Sequence, residues 1–505
     1  MVRTLALRGG IRSWVGVHVH NNPWWTGGLR YFNAESDKSP PKRIAIVGAG
    51  IGGTAAAYFL RQQFGKCAQI DIFENGKVGG RLATTTVEGN EYEVGGTVIH
   101  PRNLHMKDFI RQLGLKERQV NIGRVGIYNG EKFTFEESSS FLINVLKLQW
   151  RYGFNLIRLK IWLNGILEKF SRIYHYQHQE YAFTTVEELL HALGGDEFIS
   201  MTQATVEEVL LKAGYSQKFM DEMVTPVMRI NYGQNKNVSA FVGAVSLAGA
   251  QPNLWAVEGG NWLVCQGLIN AASAELVQGR VTAVECQSPP SRAEKTFSSY
   301  KLDIEKSDFS YSVYDIVVLA APLHKNMANI SFQNFSHPVG DFSGKYHQTV
   351  ATVVYGLLNV PFFSYKNLNE FTLNEILTTE NPKLFISSVG ALSPLNVSVD
   401  CKVKVTEPAA WKVFSPEPLT QEQLDLLFAS YSSKSERTWL AYPHYAPPEI
   451  FPPIILHDNM YYLNSIEWAA SAMEMSAIAA RNIALLAHHR WYQKTDKIDQ
   501  ENLKA

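Results

Sequence analysis

Residues 42–75, KRIAIVGAGIGGTAAAYFLRQQFGKCAQIDIFEN, decide the fold. A short apolar run, Arg43–Val47, ends on glycines and passes into TAAAYFLRQQF, whose apolar residues recur with helical period. A second apolar run, CAQIDIF, ends at Glu74. Strand, glycine turn, helix and strand in that order make a βαβ unit. Gly48, Gly50 and Gly53 fit G-x-G-x-x-G at the strand-to-helix junction, where that pattern has a mechanism. Gly48 permits the tight turn, Gly50 lets a pyrophosphate approach the backbone, and Gly53 lets the helix lie close to the sheet. The N–H groups at the helix start then face the phosphates. Glu74 stands about 20 residues past the glycines, where a carboxylate accepts from ribose hydroxyls.

Outward from that unit, composition narrows the function classes. The chain has 505 residues, 46% hydrophobic and 19% charged, which suits a folded multidomain protein with a large core. Lysine plus arginine and aspartate plus glutamate both number 47, so the net charge is zero and nucleic-acid binding is disfavoured. The four cysteines, Cys67, Cys265, Cys286 and Cys401, have no CxxC spacing, which disfavours a thiolate metal site or a disulfide scaffold. No metal site is expected. No stretch reaches the ~18 consecutive apolar residues of a membrane span.

The fold class expected is α/β: a Rossmann-type domain assembled from discontinuous segments, with an inserted α+β substrate domain. Residues 42–120, 250–330 and 455–490 are assigned to the first. Residues 121–249 and 331–454 are assigned to the second, and 491–505 to a C-terminal tail. Residues 104–113 and 139–176 have helical pattern, and 186–228 reads as several short helices. DIVVLAAP (Asp315–Pro322) reads as a buried parallel strand, 346–360 and 383–390 as parts of a further sheet, and Ala469–His489 as one long helix. Residues 1–41 are a leader of uncertain kind. They are arginine-rich and acid-free as far as Glu35, with no continuous apolar run, and fit a transit peptide or an unreliable N-terminus better than a signal peptide.

Beyond the first unit comes VGGRLAT, with Gly79, Gly80 and Arg81. A second glycine pair followed by arginine resembles the corresponding motif of FAD-containing amine oxidases and phytoene desaturases, and favours FAD over NAD. Arg81 can fork onto phosphate oxygens, or serve only as a turn arginine. YEVGGTVIH places Gly95 and Gly96, by the same resemblance, close to the isoalloxazine, with His100 just beyond. By the same resemblance, RVTAVE would bring Val281 to the adenine side, and YYLNSIEWAASAMEM would bring Glu467 to the junction before the last helix.

The likeness becomes specific in longer stretches. FMDEMVTPVMRINYGQ, FVGAVSLAGA, LWAVEGGN and SIEWAASAMEMSAIAARN resemble the prenylcysteine oxidase family. That resemblance implies a thioether oxidase with non-covalent FAD, acting on farnesylcysteine and geranylgeranylcysteine with O2. Flavin N5 would be the hydride acceptor, and the products cysteine, a prenyl aldehyde and H2O2. It also implies a lysosomal location with a secreted, lipoprotein-associated pool. His100, Arg229, Tyr232 and Glu467 are the candidate catalytic-site residues. Arg229 reads either as the partner of the substrate carboxylate or as a structural arginine, and Glu258 is a candidate for the ammonium. Helices over 139–176 and 205–232 are candidate walls of a prenyl tunnel or simply core. The lysines and arginines among their apolar residues suggest an interfacial face. Asn237, Asn329, Asn334 and Asn396 head glycosylation sequons, usable on a secretory route. Two other readings stay open: a different flavin amine oxidase or desaturase-like enzyme, and a catalytically silent FAD-binding protein.

Overall fold

The computed structural model describes residues 38–120, 123–287, 297–305, 313–340, 342–396 and 403–501. Almost all of the leader and Cys401 lie outside them.

The strands Arg43–Val47 and Gln69–Glu74 pair in parallel, with Ile44 against Ile70 and Val47 against Phe73. Ile316–Leu319, from DIVVLAAP, pairs in parallel on the other side of the first strand. Glu275–Gln278, Met460–Tyr462 and Ile455–His457 complete a six-stranded sheet from four distant parts of the chain. The central strands are buried and mostly apolar; the exception is Asp71, fully buried and held by the Arg43 guanidinium at 2.7 Å.

The helix Ile51–Phe64 is buried along almost its whole length. Ala55, Ala56 and Ala57 are fully buried, which lets it approach its neighbours closely. Its buried Arg61 donates to the carbonyls of Gly65 and Ala68 just past its own end, and to that of Ala272 at the end of the helix Trp262–Ala272. One guanidinium thus satisfies orphan carbonyls of two helix termini.

A second, seven-stranded sheet has the order Phe428–Pro443, Tyr346–Leu358, Ala409–Ser415, Ser388–Ala391, Glu375–Thr378, Val125–Tyr128, Phe133–Glu136. Of the segments expected in a further sheet, 346–360 supplies the strand Tyr346–Leu358, while 383–390 contributes only its end, as the strand Ser388–Ala391. Helices fill the region between the two sheets along the chain: Phe141–Tyr152, Asn155–Phe170 and Arg172–His178, then shorter ones from Val186 to Ala248. Their ends follow local chemistry. Thr205 forms a reciprocal capping box with Glu208, and Gly233 ends the helix Thr225–Tyr232 with φ 67°.

One expectation needs correction. The long C-terminal helix does not begin at Ala469. A 3₁₀ segment, Leu463–Trp468, comes first, and the α-helix runs Met473–Trp491. The break is held by tyrosines: Tyr445 Oη accepts from Ser471 N, and Tyr232 Oη donates to the Ser471 carbonyl, both at 2.9 Å. The described part of the tail, as far as Glu501, packs against the helical region. Asp499 accepts from Thr184 N and Oγ1 at 2.8 and 2.7 Å, and Ala182 pairs with Ile498. Among the described residues no helix is long and apolar enough to cross a membrane.

Candidate functional site

The glycine turn has the geometry its pattern demands. Gly48 has φ +108°, and a Cβ there would come 3.0 Å from the Ala320 carbonyl oxygen on the adjacent strand end. A Cβ on Gly53 would lie 1.9 Å from the Gly48 carbonyl oxygen, so any side chain would push the helix off the turn. Gly79 and Gly80 also have positive φ, and Gly79 bridges to Gly50, closing the second glycine motif over the first. Glu74 accepts from Ala49 N at 2.8 Å and Gly76 N at 2.7 Å, which orients its carboxylate at the strand end.

These groups border one cavity of about 1750 Å³. That exceeds the usual 300–1,000 Å³ of a small-molecule pocket, so it has room for a large ligand and a second one. Along its wall come Glu74 and Val281, then Gly48, Gly50, Gly79, Gly80 and Arg81, then Gly95, Gly96 and Thr97. Ala472 and Met473, at the start of the last helix, border it as well. The wall also carries apolar residues of the helical region, Leu159, Met223, Val227, Ile230 and Val245, with polar neighbours such as Asn144 and Asn231. Gly53 serves the packing behind the turn and does not line the cavity.

Gly95 approaches the chain at residue 81: a Cβ on it would lie 1.8 Å from the Arg81 carbonyl oxygen. The Arg81 guanidinium grips Glu467 with both terminal nitrogens, one of these contacts at 3.1 Å, and donates to the Ala441 carbonyl at 2.7 Å. Glu467, 1% exposed, also accepts from Tyr346 Oη and Asn464 Nδ2, each at 3.0 Å. Burial opposes the charge on Arg81, but Glu467 outweighs it and raises the arginine's pKa. In this arrangement the arginine's fork is directed to Glu467. Tyr232 lines the cavity, its hydroxyl committed to Ser471.

The structure places two catalytic candidates elsewhere. His100 is outside the cavity wall, with Nε2 on Gln251 at 2.9 Å and Nδ1 accepting from Arg102 N at 3.1 Å. Arg229 is also outside it, spent on Thr378 Oγ1, Asn235 Oδ1 and the Ile386 carbonyl. It ties a helix end to the seven-stranded sheet, which is the structural alternative for that residue. Glu258 is exposed and likewise outside the wall.

The comparisons with known proteins agree with this architecture. A family model described as prenylcysteine lyase matches residues 135–500, and one described as an NAD(P)-binding Rossmann-like domain matches residues 46–113. Prenylcysteine oxidase 1 of Bos taurus is 51% identical over 481 residues, which cover 95% of this chain and 94% of the relative. This chain belongs to the prenylcysteine oxidase family. Prenylcysteine oxidase 1 of Homo sapiens is 52% identical over 471 residues, 92% of each chain, and the human prenylcysteine oxidase 1-like protein 45% over 474, covering 93% and 95%. Among solved structures, a putrescine oxidase redesigned in cofactor binding superposes with TM-score 0.58 at 14% identity, over 88% of this chain and 98% of that one. Cyclohexylamine oxidase from Brevibacterium oxydans IH-35A gives 0.57 at 15%, over 89% and 99%. At those identities the likeness is one of fold.

In this member of the prenylcysteine oxidase family, two cavity residues escaped the sequence reading. Lys412 lies on the strand Ala409–Ser415, where Lys412 and Phe414 face the cavity while Trp411 and Val413 are buried on the other side. Its Nζ contacts Thr97 Oγ1 at 3.2 Å, and burial lowers its pKa despite Glu375 and Glu93 nearby. Glu93 accepts from Asn261 N through Oε1, while Oε2 has no hydrogen-bond partner among the described residues, and burial pushes its carboxyl up to about 7. A lone lysine inside AAWKVFS was the available signal for Lys412. Glu93 gave none, because nothing local shows that its side chain turns inward.

Proposed function

We propose that this chain is an FAD-dependent thioether oxidase of prenylcysteines. One observation carries the reading: a single cavity borders both the glycine crossover and a wall of apolar helix residues. A dinucleotide with a large redox ring fits the first part, and a branched hydrocarbon tail fits the second. The relatives named prenylcysteine oxidase 1, matched over more than nine-tenths of the chain, support the substrate class.

The residues fit the cofactor by their own geometry. Gly48, Gly50 and the N–H groups opening the helix at Ile51 would hold the diphosphate. Glu74 would accept from the ribose, and Val281 would flank the adenine side. Gly79, Gly80, Gly95 and Gly96 leave room for close approach. When bound, FAD supplies a hydride acceptor for the allylic, sulfur-bearing carbon and passes the electrons to O2. The overall balance is farnesylcysteine, O2 and water to farnesal, cysteine and H2O2.

The chain's own side chains bind and orient. Leu159, Met223, Val227, Ile230 and Val245 would take the prenyl tail out of water, at ~0.8 kcal/mol per buried CH₂. That binding fixes the reacting carbon and limits water to the polar end of the cavity. Lys412 Nζ and Thr97 Oγ1 supply the polar contact beside Gly95–Gly96. Burial makes the lysine give up its proton more readily than a surface lysine does. Arg81 and Glu467 hold the glycine segments and the start of the last helix in register.

Entry to the secretory route and lysosome belongs to the same proposal. Asn237, Asn329, Asn334 and Asn396 are all exposed, which supports their use as acceptors. Incubation of purified protein with farnesylcysteine in air tests the function. Farnesal, cysteine and H2O2 in equal amounts are expected; flavin-loaded protein that yields no aldehyde would overturn it.

A further inference from the structure

We propose that the outer face of the helices Phe141–Tyr152 and Asn155–Phe170 docks onto an anionic phospholipid bilayer surface. Of the 11 large hydrophobic side chains that stand exposed among the described residues, seven lie in this one stretch of sequence: Leu142, Ile143, Leu146, Trp150, Phe154, Ile157 and Ile161. Trp150 is 94% exposed, Phe154 69% and Ile161 68%. Single exposed hydrophobics are ordinary; a contiguous set marks an interaction surface.

The pattern is that of two amphipathic helices set with their apolar sides outward. Leu142, Leu146 and Trp150 recur every fourth residue and form one stripe, while Asn144, Leu148 and Tyr152 form the buried stripe opposite. On the second helix Ile157 and Ile161 continue the outer stripe, and Leu156, Leu159, Leu163 and Ile166 are buried.

Charge selects the occupant. From Ser138 to Leu167 there is no acidic residue, but there are four cations: Lys147, Arg151, Arg158 and Lys160. Arg151 is neutralised by Glu222. Lys147 donates to the Glu136 carbonyl, Arg158 donates to the Gly214 carbonyl and lies over the Tyr215 ring, and none of Lys147, Arg158 and Lys160 has an acidic partner among the described residues. A chain of zero net charge therefore carries a local cationic excess around exposed Trp, Phe, Leu and Ile, which suits the headgroup boundary of an anionic leaflet. A second copy suits it less, because a two-fold contact on this patch would set like charges against each other.

The inner sides of the same helices reach the cavity: Phe141, Asn144 and Leu159 line it. A face on lipid and a face on the cavity leave only the thickness of one helix between a bilayer and an apolar site. That second point rests on the proposed function; the docking itself does not.

The test uses the full chain with its cofactor and needs no turnover. It is sedimented with vesicles of phosphatidylcholine alone or with phosphatidylserine added. The expected result is binding to the anionic vesicles that weakens with salt. A triple variant Leu146→Glu, Trp150→Glu, Ile161→Glu should lose at least tenfold in bound fraction, and Lys147→Ser with Lys160→Ser should lose the preference for phosphatidylserine. Both variants change exposed side chains and should keep the melting temperature. Wild-type protein that ignores both vesicle types, or a triple variant that binds as well as wild type, overturns the proposal. So does a wild-type dimer in sedimentation velocity that the triple variant abolishes, since the patch then serves self-association.

Discussion

Gly53 shows how little latitude the dinucleotide turn has. An added methyl would meet the Gly48 carbonyl oxygen at 1.9 Å, so either the helix or the turn must move. Gly53→Ala should cost about 1–3 kcal/mol and leave the purified protein at least tenfold poorer in bound flavin, read from visible absorbance per chain. Arg81 and Glu467 act differently. Arg81→Ala leaves a buried carboxylate with only Tyr346 and Asn464 as partners, and should destabilise by about 3–5 kcal/mol in urea unfolding. Glu93 gives a pH signature. Its carboxyl holds a proton in the fold up to about 7, against an ordinary value of 4.5, so its contribution to stability falls as pH rises from 4.5 to 7. Glu93→Gln removes that loss. Its melting temperature relative to wild type should therefore be higher at pH 8 than at pH 5. At this scale the cofactor turn was legible in the sequence because each glycine answers a local backbone requirement. His100 and Arg229 were not, because a motif's neighbour in sequence need not share its cavity. Both side chains are fully engaged elsewhere.

The helices depend on contacts between distant parts of the chain. The helix Leu104–Gln112 has no capping side chain of its own. Glu474, in the first turn of the last helix, accepts from His105 N at 2.8 Å and Met106 N at 3.0 Å, and from Tyr174 Oη at 2.8 Å. Glu474→Ala should cost about 2 kcal/mol and speed amide exchange at His105 and Met106 before it affects the six-stranded sheet. Arg43–Val47, Gln69–Glu74 and Ile316–Leu319 of that sheet were legible from their apolar runs, whereas the edge strands Glu275–Gln278 and Ile455–His457 were not; the helical pattern over 139–176 resolves into the helices Phe141–Tyr152, Asn155–Phe170 and Arg172–His178. The break at Ala469–Ala472 was not legible, because AASAMEM has helical propensity and two tyrosines from other segments overrule it. The five-residue π turn Met220–Val224, which carries Met223 to the cavity wall, also has no sequence signature.

Across the whole molecule, a Rossmann unit drawn from four parts of the chain meets a seven-stranded sheet, and the site lies where they face each other. Sequence order alone located the first component through its motif. The resemblance of long segments supplied the class of the second, since periodicity does not distinguish a tunnel wall from ordinary core. The account requires that one cavity hold both a redox ring and a thioether. Its most direct measurement is the visible spectrum of the flavin-loaded protein when farnesylcysteine is added without oxygen. The account predicts that the oxidised-flavin absorbance bleaches and returns on admitting air. A folded, flavin-loaded protein whose spectrum stays oxidised in the presence of that substrate would contradict it.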